Sequence, residues 1–285
     1  MMKGYNGKML WIDLSTKVTR EEMIPEEWRS LYIGGEGFVA KLMYDHVKPG
    51  MDPLSEENLL IFAMGPVNGT LAPSSGRTCV GFKSPLTGTI GVSNVGGMLA
   101  PELKKTGYDV IIMTGKSETP VYVFVKDNEV QFMPAETIWG LDVEKTEEAI
   151  RNELDDPKVR IAEIGPAGEN LVKFASLINN KGHAAGRTGM GAVWGFKNLK
   201  AIWVAGSGKI PVAQPEELKG LRKELKDVYA ESIYVDALRA SGTPAHLDVG
   251  IISGDIPIKN WQQTEWDDID DIGPGAIEEK IHAGD

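Results

Sequence analysis

Short apolar runs separated by polar or glycine-rich breaks fill most of the first 205 residues and predict a β-rich region. The alternation over 9–14, the polar break at 15–17 and the apolar Val18 predict an N-terminal β-hairpin. Further strands are predicted at 59–63, 78–82, 89–92, 110–113, 121–125, 130–133, 159–164, 172–177 and 201–205. The runs within 110–133 follow one another so closely that they predict a three-stranded meander, with 115–117 as a hairpin turn.

Helical patterns separate these strands and dominate the C-terminal part. Helices are predicted at 25–31, 38–46, 98–105 and 143–154. The pattern changes after about residue 210, because Pro215 begins a predicted helix that extends to about Ala240 and loops follow it. We therefore expect a mixed α and β domain over 1–210 and the beginning of a helical domain over 211–285. The sequence stops within a predicted helix, so we expect the chain to be a piece of a longer protein.

Composition is that of a soluble globular protein and excludes several classes of function. Hydrophobic residues make up 42% of the 285 positions and charged residues 25%. The formal net charge of −11 argues against general nucleic-acid binding, because that affinity comes from cations facing phosphates. No apolar run approaches the roughly 20 residues of a membrane span, and the N-terminus lacks a signal sequence, so we expect a cytoplasmic protein.

The single cysteine limits the thiol and metal chemistry of the chain. Cys79 excludes an intrachain disulfide, and four thiolate ligands for zinc or an iron–sulfur cluster cannot come from this chain alone. The apolar strand around Cys79 favours a buried, inert thiol over a nucleophile. The four histidines are scattered and form no His-x-x-x-His pair.

Two glycine-rich stretches lack acidic residues in an otherwise acidic chain. Residues 64–100 have Arg77 and Lys83 as their only charges, and residues 171–202 contain five Lys or Arg residues. Backbone N–H groups freed by glycine bind phosphates together with a few cations, so the two stretches predict an anion site, although turns without a ligand would explain either stretch alone. Both stretches contain Gly-Arg-Thr and a later Gly-Phe-Lys, which suggests a degenerate internal duplication; the tripeptides are at 76–78, 81–83, 186–188 and 195–197.

Three segments resemble known ligand-binding motifs, but each lacks a residue or a neighbouring element that its motif requires. The segment 35–40 fits the G-x-G-x-x-A of dinucleotide-binding proteins, but a predicted helix precedes it where that fingerprint needs a strand, so a dehydrogenase is disfavoured. The segment 115–117 lacks the first glycine of a phosphate-binding loop, and a strand follows it instead of a helix. The acidic run 265–271 lacks the glycine and terminal glutamate of a calcium loop, so a solvated loop is favoured.

The glycine-rich stretches carry a resemblance to a known family. Residues 73–78, 83–88, 93–97, 179–193 and 197–201 resemble, in order, the N-terminal domain of tungsten-containing aldehyde:ferredoxin oxidoreductases. The opening strand at Gly7-Lys8 and the helix start at 34–37 are similar too, and the similarity extends from about residue 4 to about residue 205. The resemblance implies an α+β fold, in which two related β-sheets with pseudo-two-fold symmetry are flanked by short helices and followed by the start of a helical region.

The resemblance also implies that this domain is the base on which a bis-tungstopterin, or molybdopterin, cofactor lies. A magnesium ion bridges the pterin phosphates in the family, and the backbone carbonyls of Asn94 and Ala184 are its expected ligands here. Arg77 is expected between the pterin and an iron–sulfur cluster, and His183, whose charge depends on pH near neutrality, stands where many members have arginine. The residues expected to contact the cofactor are Arg77, Ser93, Asn94, Gly96, Gly97, His183, Ala184, Gly186 and Arg187.

The complete enzyme that the resemblance implies oxidises an aldehyde with water to a carboxylic acid and passes electrons through a [4Fe–4S] cluster to ferredoxin. The cluster cysteines and acid–base residues of the family are absent from this sequence, so we expect no catalytic residue in it. The chain alone is expected to be stable, inactive and free of cofactor. Its expected partners are C-terminal domains or a partner subunit, and a homo-oligomer is left open. The alternative is a non-catalytic pterin-cofactor carrier or scaffold that docks a separate catalytic chain.

Overall fold

The computed structural model describes residues 3–154, 160–180 and 182–280, which form two compact units divided after Pro215. The strands are β1 (Lys8–Asp13), β2 (Thr19–Met23), β3 (Leu60–Ala63), β4 (Thr78–Lys83), β5 (Ile90–Val95), β6 (Val110–Thr114), β7 (Val121–Lys126), β8 (Glu129–Pro134), β9 (Arg160–Glu163), β10 (Leu177–Asn179), β11 (His183–Ala185) and β12 (Leu199–Ala205). The helices between them are α1 (Glu26–Leu31), α2 (Glu36–His46), α3 (Leu99–Lys105), α4 (Val143–Leu154), α5 (Pro166–Glu169) and α6 (Met190–Phe196). The later helices are α7 (Pro215–Ala230), α8 (Ile233–Ser241), α9 (Leu247–Ser253) and α10 (Pro274–Lys280), with 3-10 turns at Thr243–His246 and Ile269–Ile272.

The strands form two six-stranded sheets with the same topology. The first sheet has the order β2-β1-β6-β3-β4-β5, and the second has the order β8-β7-β12-β9-β10-β11. Each sheet has one parallel pair, β1 with β6 and β7 with β12, and its other pairs are antiparallel. A helix precedes the third strand of each repeat (α2 and α4), and another precedes the sixth (α3 and α6). The expected pair of related sheets with flanking helices is confirmed.

One apolar core contains residues of both sheets together with residues of α3 and α6. Within it, Phe62 of β3 contacts Trp194 of α6 edge to face, with ring centroids 6.1 Å apart. Two smaller apolar clusters include residues of α2 and of α4 and cover the other faces. Because both faces are covered, β3 is buried at every position and reads in the sequence as an unbroken apolar run. Among the helices described, none is both long and apolar enough to cross a lipid bilayer.

The meander predicted within 110–133 is wrong. β6 lies in the first sheet between β1 and β3, whereas β7 and β8 pair in the second sheet. Residues 115–117 therefore connect the two sheets and are not a hairpin turn, and the Ser117 amide donates to the Lys197 carbonyl at 3.1 Å. The buried run 110–113 requires a central place with a strand on each side, and proximity along the chain does not specify those neighbours.

Two predicted boundaries also differ from the structure. Only Leu177 of the strand predicted at 172–177 is in a strand, at the start of β10, and turns precede it after α5, with Leu171 in a left-handed conformation (φ 57°). The single helix predicted from Pro215 to about Ala240 is two helices, α7 and α8. The break occurs because Ser232 starts α8, where its side chain accepts the Val235 amide at 3.4 Å.

The tripeptides that suggested a duplication do not occupy equivalent places in the two repeats. Gly76-Arg77-Thr78 leads into β4, whereas Gly186-Arg187-Thr188 follows β11. The counterparts of β4 and β11 are β10 and β5, respectively. The duplication is therefore present in the topology, but these shared peptides are not its corresponding residues.

Two buried lysines, in contrast to these tripeptides, do occupy equivalent places in the two repeats. Lys104 lies at the end of α3, and its ammonium donates to the Gly4 carbonyl, ahead of β1, at 2.6 Å. Lys197 directly follows α6, and its ammonium donates to the Gly115 carbonyl, ahead of β7, at 2.7 Å. In each repeat a buried lysine thus binds the segment that enters the first strand.

Candidate functional site

The strands β5 and β11, which are equivalent edge strands of the two repeats, come together in the structure. An open groove of about 720 Å³ lies along them. Ile90, Val92 and Thr188 form part of its lining. The other lining residues are five of the nine predicted cofactor residues, namely Ser93, Asn94, Ala184, Gly186 and Arg187.

Gly96, Gly97 and His183 lie beside this groove and touch across the two repeats. A Cβ built on Gly96 would lie 3.7 Å from Nδ1 of His183, and one built on Gly97 would lie 2.9 Å from Cδ2 of the same ring. Gly97 also has a φ of 91°, which residues with a side chain rarely adopt. The loop after β5 therefore lies so close to the β10–β11 hairpin that position 97 accepts only glycine.

Arg77, the ninth predicted residue, is exposed just before β4. Its neighbour Thr78 pairs with Val95 at the end of β5, which puts Arg77 next to the loop that follows β5. A Cβ built on Gly76 would lie 3.0 Å from the Gly97 carbonyl oxygen, so the two loops are in contact. All nine predicted residues consequently lie in or beside one region.

Two cations of this region are available to a ligand. The side chains of Arg77 and Arg187 are exposed, and neither has an ion-pair or hydrogen-bond partner in the part of the chain that the structure describes. The backbone around Arg77 is fixed by Asn68, whose Nδ2 donates to the Ser75 and Arg77 carbonyls at 2.7 and 2.8 Å. One arginine comes from each repeat: Arg187 lines the groove, and Arg77 lies next to the loop that borders it.

A carboxylate also stands at the rim. Nδ2 of Asn94 donates to Oε1 of Glu36 at 2.6 Å, and Glu36 is the first residue of α2. Burial, together with the charge of Glu36, raises the pKa of the Cys79 thiol to about 12, and Cys79 is 3% exposed. The expected burial of Cys79 is thus confirmed, and its raised pKa disfavours the thiolate that a nucleophile needs. The helix α1, and no strand, precedes Gly35, so the dinucleotide fingerprint fails as predicted.

Glu36→Gln is expected to tighten anion binding in this groove by about two- to threefold. The substitution removes a negative charge beside the groove, worth about 0.5 kcal/mol at an exposed site, while the amide oxygen can still accept from Asn94. Isothermal titration with inorganic pyrophosphate and Mg²⁺ measures the change. Glu26→Gln, at an exposed position of α1, is the matched control and should have no effect. Equal affinities of the two variants at low ionic strength would contradict the role of Glu36.

No group of three His, Cys, Asp or Glu side chains that could hold a metal ion occurs among the described residues. The acidic run 265–271 therefore forms no such cluster. Coordination of magnesium by the backbone carbonyls of Asn94 and Ala184 involves no side chain and stays a prediction.

Sequence reasoning missed several residues that build this site. Ser84 donates through Oγ to the Thr188 carbonyl at 2.6 Å, and Asn179 donates through Nδ2 to the Gly96 carbonyl at 3.1 Å. The sequence marks Glu36 only as part of a glycine-rich helix start. Each of these contacts joins residues more than 50 positions apart, so no local pattern reveals it.

The donors of the groove suit a phosphorylated cofactor. Glycine-containing backbone from two strand ends, two exposed guanidinium groups and one imidazole are all groups that bind anionic oxygens. The groove is open, so the described residues contact one side of a large ligand and do not enclose it.

Comparison with known proteins adds independent information. The family described as "Aldehyde ferredoxin oxidoreductase, N-terminal domain" matches residues 9–206. The chain is 43% identical over 262 residues to the tungsten-containing aldehyde ferredoxin oxidoreductase of Pyrococcus furiosus, which covers 92% of this chain and 43% of that protein. It is 34% identical over 289 residues to the aliphatic sulfonate oxidoreductase, WOR-like subunit, of the same organism, covering 95% of this chain and 45% of the relative.

A solved structure is similar as well. It is described as the active site complex BamBC of benzoyl coenzyme A reductase in complex with 1,5-dienoyl-CoA, and it matches with a TM-score of 0.78 and 40% identity. The match covers 81% of this chain and 35% of that one. The chain thus spans less than half the length of each of these three relatives.

Proposed function

This chain belongs to the aldehyde ferredoxin oxidoreductase family, and we propose that it forms the part of such an enzyme that holds a metallopterin cofactor. The family consists of oxidoreductases, and its tungsten-containing members imply a tungsten cofactor. Because the chain spans 43% of the length of the aldehyde ferredoxin oxidoreductases it matches, the reaction, substrate and partners are proposed for the complete protein.

The observation that carries the proposal is the meeting of two equivalent strand edges in one groove. β5 and β11 each bring glycine-containing backbone to it, and each repeat has one exposed arginine in or beside it. A cofactor with two phosphorylated pterins has an approximate two-fold arrangement of anionic groups. A groove built from two equivalent edges offers each of these groups a similar set of donors.

Each residue of the groove has a distinct task in this proposal. Arg77 and Arg187 bind anionic oxygens and offset their charge, and Gly96, Gly97 and Gly186 let the backbone approach closely. The carbonyls of Asn94 and Ala184 accept a phosphate-bridging magnesium ion. The hydroxyl of Ser93 accepts the Arg187 amide at 3.4 Å and so positions that residue. His183 donates a hydrogen bond where other members place arginine.

The complete protein would oxidise an aldehyde and water to a carboxylic acid, two protons and two electrons. A bound tungstopterin supplies the two-electron redox chemistry, and a [4Fe–4S] cluster held outside this chain would pass the electrons singly to two ferredoxin molecules. Cys79 is buried with a raised pKa, so this chain supplies no thiolate for that cluster. A cytoplasmic location and further domains or a partner subunit belong to the same proposal.

A second candidate function is a cofactor carrier or scaffold that docks a separate catalytic chain. Exposed apolar residues in the glycine-rich segment 64–100 favour a partner surface on this segment. They are Val67, Leu71, Leu86, Ile90 and Met98, each about half exposed. The same residues would be covered by further domains of a complete enzyme, so metal content must decide between the two candidates.

Elemental analysis of the chain, made anaerobically with tungstate supplied, tests the two candidates. Near-zero tungsten, molybdenum and iron is expected if the chain is one part of the enzyme and the cofactor is retained only when the remainder is present. Stoichiometric tungsten without iron would favour the carrier. Restoration of tungsten by the C-terminal part of a relative would support the first candidate directly.

The arginines give a test that needs no metallopterin. Arg77→Ala and Arg187→Ala are each expected to weaken binding of inorganic pyrophosphate by about fivefold, since each removes an exposed charged donor worth about 1 kcal/mol. Isothermal titration in the presence of Mg²⁺ measures the affinity. Arg20→Ala in β2, at the opposite edge of the first sheet from β5, makes the same charge change away from the groove and serves as control. An equal loss in all three variants would show a nonspecific charge effect and contradict the site.

A further inference from the structure

Two consecutive asparagines of the second repeat bind the loop of the first repeat that borders the groove. Asn179 ends β10 and is fully buried, and its Nδ2 donates to the Gly96 carbonyl at 3.1 Å. Oδ1 of Asn180 accepts the Met98 amide at 3.2 Å. The loop after β5 is therefore fastened at both of its ends by side chains from the other sheet.

Between these two hydrogen bonds, Gly97 packs directly against the side-chain amides of Asn179 and Asn180. A Cβ built on Gly97 would lie 2.7 Å from Oδ1 of Asn179 and 3.0 Å from Oδ1 of Asn180. Asn180 itself has a φ of 48°, a left-handed conformation that asparagine tolerates better than most residues. The close fit requires the glycine, the two amides and this turn together.

Stability alone does not account for an asparagine at position 179. Its Oδ1 is buried and has no hydrogen-bond partner in the part of the chain that the structure describes. A buried acceptor without a donor is unfavourable, so an apolar residue of similar size would serve packing at least as well. The feature that an apolar residue would lose is the hydrogen bond to Gly96, which reaches from one repeat to the other.

We propose that Asn179 is a positioning residue, which holds Gly96 and Gly97 against the β10–β11 hairpin so that both repeats present their backbone to an anion as one preformed surface. This role rests on the proposed function of the groove. Ser93 and Ser84 make the corresponding links farther along, where Ser93 accepts the Arg187 amide and Ser84 donates to the Thr188 carbonyl. A surface that is already ordered loses less entropy on binding than two independent loops.

Asn179→Ala in the isolated chain tests the role, with inorganic pyrophosphate and Mg²⁺ as probe. Affinity is expected to fall about tenfold, because the loop must then be ordered by the ligand. Hydrogen exchange of the backbone amides should rise by about tenfold both in 93–98 and in 183–187, with the urea midpoint little changed. Asn170→Ala is the control, since Asn170 is exposed and its Nδ2 bonds only locally, to the Pro166 carbonyl at 2.8 Å.

Asn179→Asp gives a readout that a packing role would not move. A protonated carboxyl can donate to the Gly96 carbonyl as Nδ2 does, whereas a carboxylate cannot. Hydrogen exchange of 93–98 in this variant relative to the wild type, measured without pyrophosphate so that repulsion of the probe plays no part, should therefore slow as the pH falls, and a constant ratio would overturn the proposal. If Asn179→Ala does not fold, Asn179→Leu, which fills the same space without a donor to the Gly96 carbonyl, replaces it with the same expected effects on affinity and exchange.

The experiments distinguish a failure of the anion site from a failure of the positioning role of Asn179. A wild-type chain that does not bind pyrophosphate contradicts the proposed anion site, and the positioning role falls with it. A wild-type chain that binds while Asn179→Ala keeps the same affinity, or exchanges faster only in its own hairpin, overturns the positioning role alone.

Discussion

Replacing Gly189 with alanine is expected to lower the free energy of unfolding by about 3 kcal/mol. Gly189 directly precedes α6 with a φ of 84°, and the left-handed conformation costs about 1–2 kcal/mol for a residue with a side chain. A Cβ at this position would also overlap the backbone carbonyl oxygen of Lys173, and relieving such overpacking costs a further 1–3 kcal/mol, roughly. Urea unfolding followed by circular dichroism measures the loss.

Gly88→Ala separates the cost of the left-handed conformation from the cost of the overlap with the Lys173 carbonyl oxygen. Gly88 has a φ of 72°, and nothing lies within 4 Å of a Cβ built there, so only the conformational cost of about 1 kcal/mol should appear. Gly189 also adjoins Thr188, which is itself left-handed with a φ of 67°, and these two residues direct the chain from the groove into α6. Gly189→Ala should therefore weaken pyrophosphate binding too. A loss of stability no larger than that of Gly88→Ala would contradict the tight contact with Lys173.

Most strand positions could be predicted from the sequence, although β11 was missed, but the neighbours of the strands could not. The apolar runs at β3 and over 9–12 of β1 reflect burial on both faces, so the alternation expected over 9–14 is wrong, although the strand itself was found from local information. The place of β6 between β1 and β3 depends on contacts made far along the chain, so proximity to β7 suggested the wrong partner. The break at Ser232 shows the same limit for helices, because amphipathic spacing continues across it.

The site could be predicted in outline for a different reason. Glycine and the absence of acidic residues mark backbone that binds anions, and the two stretches with this composition do meet at the groove. The shared Gly-Arg-Thr peptides suggested that the domain contains two related repeats, and the topology agrees, but the peptides themselves do not occupy equivalent positions in the two repeats. Glu36 and Asn179 were missed because their roles arise only from residues that the fold brings next to them.

Lys104→Met is expected to cost about 3–5 kcal/mol of stability, because it leaves a buried carboxylate without its counter-ion. Nζ of Lys104 lies 3.6 Å from Oδ1 of Asp109, and neither side chain is exposed. The ammonium also donates to the Gly4 carbonyl at 2.6 Å and to the Gly65 carbonyl. Lys105→Met is the neighbouring control, since its partly exposed pair with Glu102 should contribute less than about 1 kcal/mol. Urea unfolding at neutral pH compares the variants.

The pH dependence of this loss follows from Asp109. Burial raises the pKa of its carboxyl even in the wild type, where the nearby ammonium opposes the shift, so removing Lys104 should raise the pKa further. A carboxyl whose pKa is raised on folding favours the folded state when protonated, and this contribution is lost as the pH rises through the folded-state pKa. The difference between wild type and Lys104→Met should therefore shrink between neutral pH and about pH 5. Asp109→Asn added to Lys104→Met should recover about half of the loss and abolish that pH dependence, because the amide carries no charge. A pH-independent difference would mean that Lys104 stabilises the fold through its carbonyl contacts and not through Asp109.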